Sequence, residues 1–212
     1  MIYTNKTITQ KKITADVCII GTGAGGSACA YQLAKKGYKV VALEAGSFFI
    51  PNNFSQKEEL MYPKLFYGKG GRRTKNRAIR VLHGHGVGGS TLHNINLCKK
   101  VPKEIVEDWG LKGFSYSMFL PYLQEVESEL GVHQIPDTLM NENNKILKSG
   151  IEKLGYQGGQ LSHNRRGCVG SGFCELGCSF DAKMNAMRVY IPKFIKNGGK
   201  VFANTKALHF VY

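Results

Sequence analysis

Ala15-Asp16-Val17-Cys18-Ile19-Ile20-Gly21-Thr22-Gly23-Ala24-Gly25-Gly26 is the stretch whose reading decides the fold. Ala15 to Ile20 is a short, nearly continuous apolar run, as expected of a strand buried on both faces. The glycines then open a helix that the spacing places over Ala24 to Lys36, with Gly37 where a terminating glycine belongs. Tyr38 to Leu43 reads as a second buried strand. Strand, glycine turn, helix and strand in about thirty residues make a βαβ unit, and its parallel strands imply a right-handed crossover.

Gly21-Thr22-Gly23-Ala24-Gly25-Gly26 satisfies G-x-G-x-x-G in the context that gives the pattern meaning. Gly21 permits the tight turn, Gly23 lets backbone approach a pyrophosphate, and Gly26 lets helix and strand pack closely. The helix N-terminus offers unpaired N–H groups and a positive dipole to phosphates. Glu44, eighteen residues beyond Gly26, ends the next strand and can accept from ribose hydroxyls. Its charge would repel a 2′-phosphate, which argues against NADP. The spacing alone leaves NAD and FAD both open.

Composition bounds the remaining choices. The 212 residues are 42% hydrophobic and 21% charged, which excludes wholesale disorder and fits one domain, or one large domain with an insertion. No run approaches the roughly 18 apolar residues needed to span a bilayer. The opening MIYTNKTITQKK lacks the apolar core of a secretory signal, so a cytoplasmic location is expected. Without a signal peptide the six cysteines are not expected to form a disulfide framework, and Cys18 and Cys29 read as buried small hydrophobes. Twenty-nine Lys and Arg against fifteen Asp and Glu give a net charge of +14. Leu60 to Lys103 contains no acid, while Lys64, Lys69, Arg72, Arg73, Lys75, Arg77, Arg80, Lys99, Lys100 and Lys103 are basic. Such a field suits a solvated face, a diphosphate cofactor or an acidic electron-transfer partner. No helix-turn-helix, zinc-finger or stacking motif points to nucleic acid.

Residues 47 to 80 read as loop with a short helix around Gln56 to Leu60, and Ile79 to Leu82 as a short strand. Helices are expected over Pro102 to Trp109, over Ser117 to Leu130 capped by Ser115 or Ser117, over Asn141 to Leu154, and over Arg188 to Lys196. Val201 to Ala203 and Leu208 to Tyr212 read as strands.

A second glycine cluster, Gly84-His85-Gly86-Val87-Gly88-Gly89-Ser90-Thr91-Leu92-His93-Asn94, can wrap a polar ligand with its N–H and hydroxyl groups. Glu44-Ala45-Gly46 is similar to the end of the second strand in many flavoproteins. The cluster resembles the first signature of the glucose–methanol–choline (GMC) oxidoreductases, G-x-x-hydrophobic-G-G-S-[ST]-x-x-N, matched by Gly84, Val87, Gly88, Gly89, Ser90, Thr91 and Asn94. The resemblance implies FAD, with Glu44 on the adenosine ribose, the cluster along the diphosphate and Asn94 against the flavin. His85 stands where the family usually has a basic residue. His93 stands where some members have a histidine bonded covalently to the flavin and others do not. Glu107-Asp108-Trp109-Gly110 and Leu120-Pro121-Tyr122-Leu123 are similar to the segment that follows the signature in bacterial members, and Asn204 to Tyr212 to the strand that returns beside the adenine.

Family members are much longer than this chain. Their second signature, most of the substrate domain and the catalytic His with its His or Asn partner would lie beyond Tyr212, so the expectation is an N-terminal, C-terminally truncated and inactive fragment. The expected architecture is α/β: a Rossmann-like FAD-binding domain starting at 13–110, a helical and irregular insertion at 111–190, and a return to the first domain at 191–212. The candidate cofactor residues are Gly21, Gly23, Ala24, Gly25, Gly26, Glu44, Ala45, Gly88, Gly89, Ser90, Thr91, His93 and Asn94.

Cys168, Cys174 and Cys178 are spaced C-x₅-C-x₃-C, the ferredoxin run with Ser171 replacing its second cysteine. Three thiolates at this spacing suit a 3Fe-4S cluster, and the run resembles a segment of GMC dehydrogenases that carry one. Zinc, which would need a fourth ligand such as His163, and metal-free packing are the alternatives. The implied function is a flavoprotein dehydrogenase that oxidises an alcohol or sugar hydroxyl by hydride transfer to flavin and passes electrons to an acceptor protein or a quinone. Its rivals are an NAD-dependent Rossmann oxidoreductase, which leaves the second glycine cluster unexplained, and a basic non-catalytic binding module, which leaves both clusters unexplained.

Overall fold

The computed structural model describes residues 1–4 and 12–211. In chain order its elements are β1 (Ile2–Tyr3), β2 (Val17–Ile20), α1 (Ala24–Lys35), β3 (Val40–Leu43), α2 (Glu58–Leu65), β4 (Leu97–Cys98) and α3 (Lys103–Glu107). They continue with α4 (Tyr116–Leu130), β5 (His133–Gln134), α5 (Glu142–Lys153), β6 (Ser162–His163), α6 (Ala186–Lys196) and β7 (Lys200–Phe202). Contacts divide the chain into two compact units, Met1–Ile95 with Gly167–Tyr212, and Asn96–Arg166. Among the described residues no helix is long and apolar enough to cross a membrane.

The first unit is built on a parallel sheet of order β1-β7-β3-β2. α1 forms because small residues follow the glycine turn, and its buried face is Ser27, Ala30, Tyr31 and Ala34, one stripe of a 3.6-residue period. Gly37, at φ +91°, ends it with a conformation that a side chain would strain. α6 begins at Asn185, whose side chain accepts from the Arg188 N–H, and buries Val189, Tyr190, Ile191 and Phe194. α1 and α6 pack together, with the Tyr31 and Tyr190 rings 6.2 Å apart and the Lys193 ammonium over Tyr31. β3 lies inside the sheet, where Val40 and Ala42 are buried.

β2 departs from the expectation of burial on both faces. It is last in the strand order, and its residues alternate between half-buried and exposed. Val17 and Ile19 share a face with the buried Val40 and Ala42 of β3, and Ile19 lies beneath the α1 start at Gly26. Cys18 and Ile20 point the other way and are exposed, so Cys18 is not the buried hydrophobe expected. Cys29 on α1 is exposed too, because it lies off the buried stripe.

Other differences have local causes. The helix expected near Gln56 starts at Glu58 and runs to Leu65. Ile79 to Leu82 forms no strand, because only Arg73 and Arg80 pair there, in a single bridge. Residues 208–211 have no regular structure, and Tyr212 lies outside the described residues. Of the polar opening, residues 5–11 also lie outside them, while Ile2 and Tyr3 pair with Val201 and Phe202.

The second unit carries α3, α4, α5 and an antiparallel sheet of order β4-β6-β5. Ser115 caps α4 by accepting from the Met118 N–H at 3.4 Å, and Gly131, at φ +62°, stops it. Asn141 caps α5 in the same way through the Asn144 N–H at 2.9 Å. Trp109, Phe114 and Phe119 form an aromatic cluster between α3 and α4.

Candidate cofactor site

Each glycine of the first turn has its own geometry. Gly21 sits at φ +89°, and its N–H donates to the Leu43 carbonyl, which joins the turn to the end of β3. A Cβ on Gly26 would overlap the Gly21 carbonyl oxygen, so only glycine permits this approach of helix to strand. A Cβ on Gly23 would have nothing nearer than the Gly89 Cα at 3.9 Å and would point into open space. Gly23 is also the N-cap of α1, with no side-chain acceptor on the first-turn N–H groups and no acid in that turn. The positive end of α1 is thus bare.

Glu44 is buried at 7% exposure and held by three donors. Its Oε2 accepts from the Thr22 N–H at 3.0 Å and the Thr22 hydroxyl at 2.8 Å, and its Oε1 accepts from the Gly46 N–H at 2.9 Å. A carboxylate has about four acceptor positions, so one remains for a further donor. Thr22 also accepts from the Gly88 N–H at 3.3 Å, which ties the first glycine turn to the second cluster. The sequence reading missed Thr22 because it fills an unrestricted position of the pattern; its only sequence signal is a hydroxyl in a turn of small residues.

The second cluster folds back on the first. Gly88 and Gly89 both have positive φ, and a Cβ on Gly89 would lie 2.7 Å from the Gly23 Cα. The Ser90 hydroxyl accepts from the Gly84 N–H at 2.9 Å, and the Thr91 hydroxyl bonds both the Gly88 carbonyl at 2.6 Å and the Ala186 N–H at 3.0 Å. Leu92 anchors the loop in a core with Phe49, Phe54, Met61, Leu65, Phe66 and Leu176. The His93 ring packs against Phe66, tilted by 42° with centroids 4.3 Å apart, and its Nε2 is buried with no hydrogen-bond partner among the described residues. Burial lowers the His93 pKa below the usual histidine value; the charges of Lys183 and His83 act in the same direction, and a backbone hydrogen bond opposes them. Asn94 is exposed.

These segments border one cleft of about 350 Å³. Gly21, Gly23, Ala24, Glu44, Ala45, Gly89, Ser90 and Thr91 line it, whereas Gly25, Gly26, Gly88, His93 and Asn94 stand outside its wall. Tyr67, His83, His85 and Lys206 line it as well, so its rim carries a lysine and two imidazoles. Of these, Tyr67 comes from a stretch that reads as loop, His83 has no role in the sequence reading, and Lys206 lies in the Asn204 to Tyr212 segment, which is matched only to a returning strand. A depression of about 440 Å³ over Lys145, Ile146, Ser149, Gly150 and Lys153 is an open groove along one helix and contains none of these features.

The three cysteines expected as cluster ligands are not brought together. Among the described residues no group of three or more His, Cys, Asp or Glu could hold a metal ion. The intervening residues fix the run instead. Leu176 enters the core at 4% exposure, Gly177 packs where a Cβ would overlap the Phe54 ring, and the Cys174 carbonyl accepts from Lys183. Cys168 is left exposed at one end, and the Cys178 sulfur accepts from the Ala182 N–H at the other. None of the six cysteines forms a disulfide.

A nucleotide-type turn with a bare helix start, a buried acid at the next strand end and a second glycine loop on the same cleft make a specific combination. The family model described as GMC oxidoreductase matches residues 8–212. The chain belongs to this family. Similar proteins include a long-chain-alcohol oxidase of Arabidopsis thaliana, 30% identical over 204 residues, which cover 94% of this chain and 27% of that protein. Cholesterol oxidase of Mycobacterium tuberculosis is 27% identical in an alignment 225 positions long that covers 90% of this chain and 39% of that protein. The chain therefore spans between about a quarter and two fifths of the length of these relatives. The crystal structure of pyridoxine 4-oxidase from Mesorbium loti matches with a TM-score of 0.64 at 17% identity, over 91% of this chain and 43% of that one. That match shows the shared α/β, Rossmann-like fold.

Proposed function

We propose that this chain is the FAD-binding part of an enzyme that oxidises an alcohol. The observation that carries this reading is the double attachment of the two glycine loops, Gly89 against Gly23 and Gly88 N–H on Thr22, beside the bare start of α1. The site fits an anionic dinucleotide on its own chemistry: open N–H groups, a Gly23 position that a Cβ would fill, and a buried carboxylate with one acceptor position left. The first-turn N–H groups of α1 would hold the diphosphate, Glu44 a ribose hydroxyl, and Ser90 and Thr91 the second side of the cofactor. His93 and Asn94, at the end of the same loop, would stand toward the flavin.

When bound, FAD supplies the hydride acceptor. The residues of this chain orient it and exclude water around it. The alcohol class follows from relatives named for long-chain alcohols and for cholesterol. The natural gene product should purify yellow, with one FAD per chain, and should bleach when an alcohol of the right class is added without oxygen. A colourless preparation that takes up no FAD would overturn the reading. Oxygen uptake on reoxidation would mark an oxidase, and dependence on an added acceptor a dehydrogenase.

A further inference from the structure

Lys183 is 2% exposed, and its ammonium donates to three backbone carbonyls: Leu92 at 2.7 Å, Asn94 at 2.8 Å and Cys174 at 2.6 Å. An ammonium has three N–H donors, so all are used. Two of the acceptors belong to the residues on either side of His93, and the third belongs to the cysteine-rich run. The Lys183 carbonyl in turn accepts from the Asn185 N–H, the residue that caps α6. A single buried cation therefore joins the end of the second glycine loop to two segments that lie about eighty to ninety residues further along the chain.

The arrangement is costly for a lysine. Burial pushes its pKa down to about 8, and the neighbouring Cys174, Cys178 and Glu175 pull it partly back. A loop that needed only packing could be held by an apolar side chain at this place. The cation instead fixes two carbonyl directions, those of Leu92 and Asn94, and so the backbone on both sides of the His93 ring. That ring lies against Phe66 with no bond from its buried Nε2, and the hydrogen bond it does make is to backbone, so the ring follows where its backbone is held.

We infer that Lys183 is a positioning residue: by holding the Leu92 and Asn94 carbonyls it sets where His93 and Asn94 stand relative to the flavin. This rests on the proposed FAD site. The role requires donors on the carbonyls rather than charge alone, so a glutamine is expected to preserve part of it and a methionine none.

The test uses the natural gene product with Lys183→Met, Lys183→Gln and, as a control for stability, Phe194→Leu, a fully buried truncation near the C-terminal end of α6, beside Gly199. The visible absorption bands report the surroundings of the flavin ring. Lys183→Met is expected to shift and broaden them and to release FAD at least about tenfold more readily, in line with the loss of a charged donor's hydrogen bonds to the loop. Lys183→Gln should fall between Met and wild type, and it carries the test alone if the Met variant does not fold. Phe194→Leu should lower the thermal midpoint with unaltered bands. Wild-type bands in the folded lysine variants would overturn the inference while leaving the FAD site standing. A wild-type protein without flavin would overturn the FAD site, and the inference with it.

Discussion

Thr22 and Glu44 are bonded twice, the backbone N–H and the hydroxyl of Thr22 both donating to the same carboxylate oxygen at 3.0 and 2.8 Å. Replacing Thr22 with valine keeps the shape and removes the hydroxyl. It leaves the Gly88 N–H without its acceptor and the buried carboxylate short of one donor. The expected cost is about 1–3 kcal/mol of stability, read from denaturant midpoints, with weaker retention of FAD. Unchanged values for both would show that these bonds do not hold the two glycine loops together.

Gly23 and Gly26 should fail differently. Gly23→Val sends its methyl groups into the cleft, where the Cβ meets only the Gly89 Cα at 3.9 Å, so the apoprotein should fold normally and not retain FAD. Gly26→Ala drives a methyl into the Gly21 carbonyl and should cost about 3 kcal/mol or more, whether or not cofactor is present. Full flavin content in Gly23→Val would remove the diphosphate from this turn.

His93 makes stability depend on pH in a definite direction. Its folded pKa lies below the unfolded value of about 6.5, so the unfolded chain binds the proton first. The stability this group contributes is complete above about pH 6.5 and is lost as pH falls through the unfolded and then the folded value. Denaturant midpoints measured from pH 7.5 down to pH 5 should therefore fall less steeply in His93→Gln than in wild type. Parallel curves would contradict the burial of a neutral imidazole.

The dispersed cysteines give a simple analytical outcome. Anaerobically purified protein should contain no stoichiometric iron or acid-labile sulfide, and Cys168→Ser, at an exposed position, should change stability by no more than about 0.5 kcal/mol. One or more iron atoms per chain would show that the run closes around a cluster after all.

Features set by neighbouring residues were legible in the sequence. Gly37 and Gly131 stop their helices at positive φ, and Ser115 caps α4, because each acts within a few residues. The βαβ unit and the second glycine loop could be read for the same reason. What escaped was set by distant partners. Ile2 and Tyr3 become a strand only because Val201 and Phe202 lie beside them. An apolar run such as Val17 to Ile20 does not reveal which of its faces a helix will cover. Thr22 and Lys183 act through carbonyls and N–H groups far along the chain, and a threonine in a turn or a lysine after cysteines has no local mark of that. The cysteine spacing was legible, but Phe54, Leu176 and Lys183 decide where those sulfurs point.

The pairing of β3 with β7 also has a consequence for biosynthesis. Val41 aligns with Lys200, so the inner edge of the nucleotide half-sheet waits for a partner about 160 residues further on. At translation rates of roughly 5–20 residues per second, β2, α1 and β3 emerge from the ribosome on the order of ten seconds before β7. For that interval Val41, Ala42 and Leu43 present unpaired N–H and carbonyl groups beside apolar side chains, an adhesive edge on a nascent chain. This interval, more than the stability of the finished sheet, is where chaperone binding or aggregation should act on the protein, and slowing translation downstream of β3 should lengthen it.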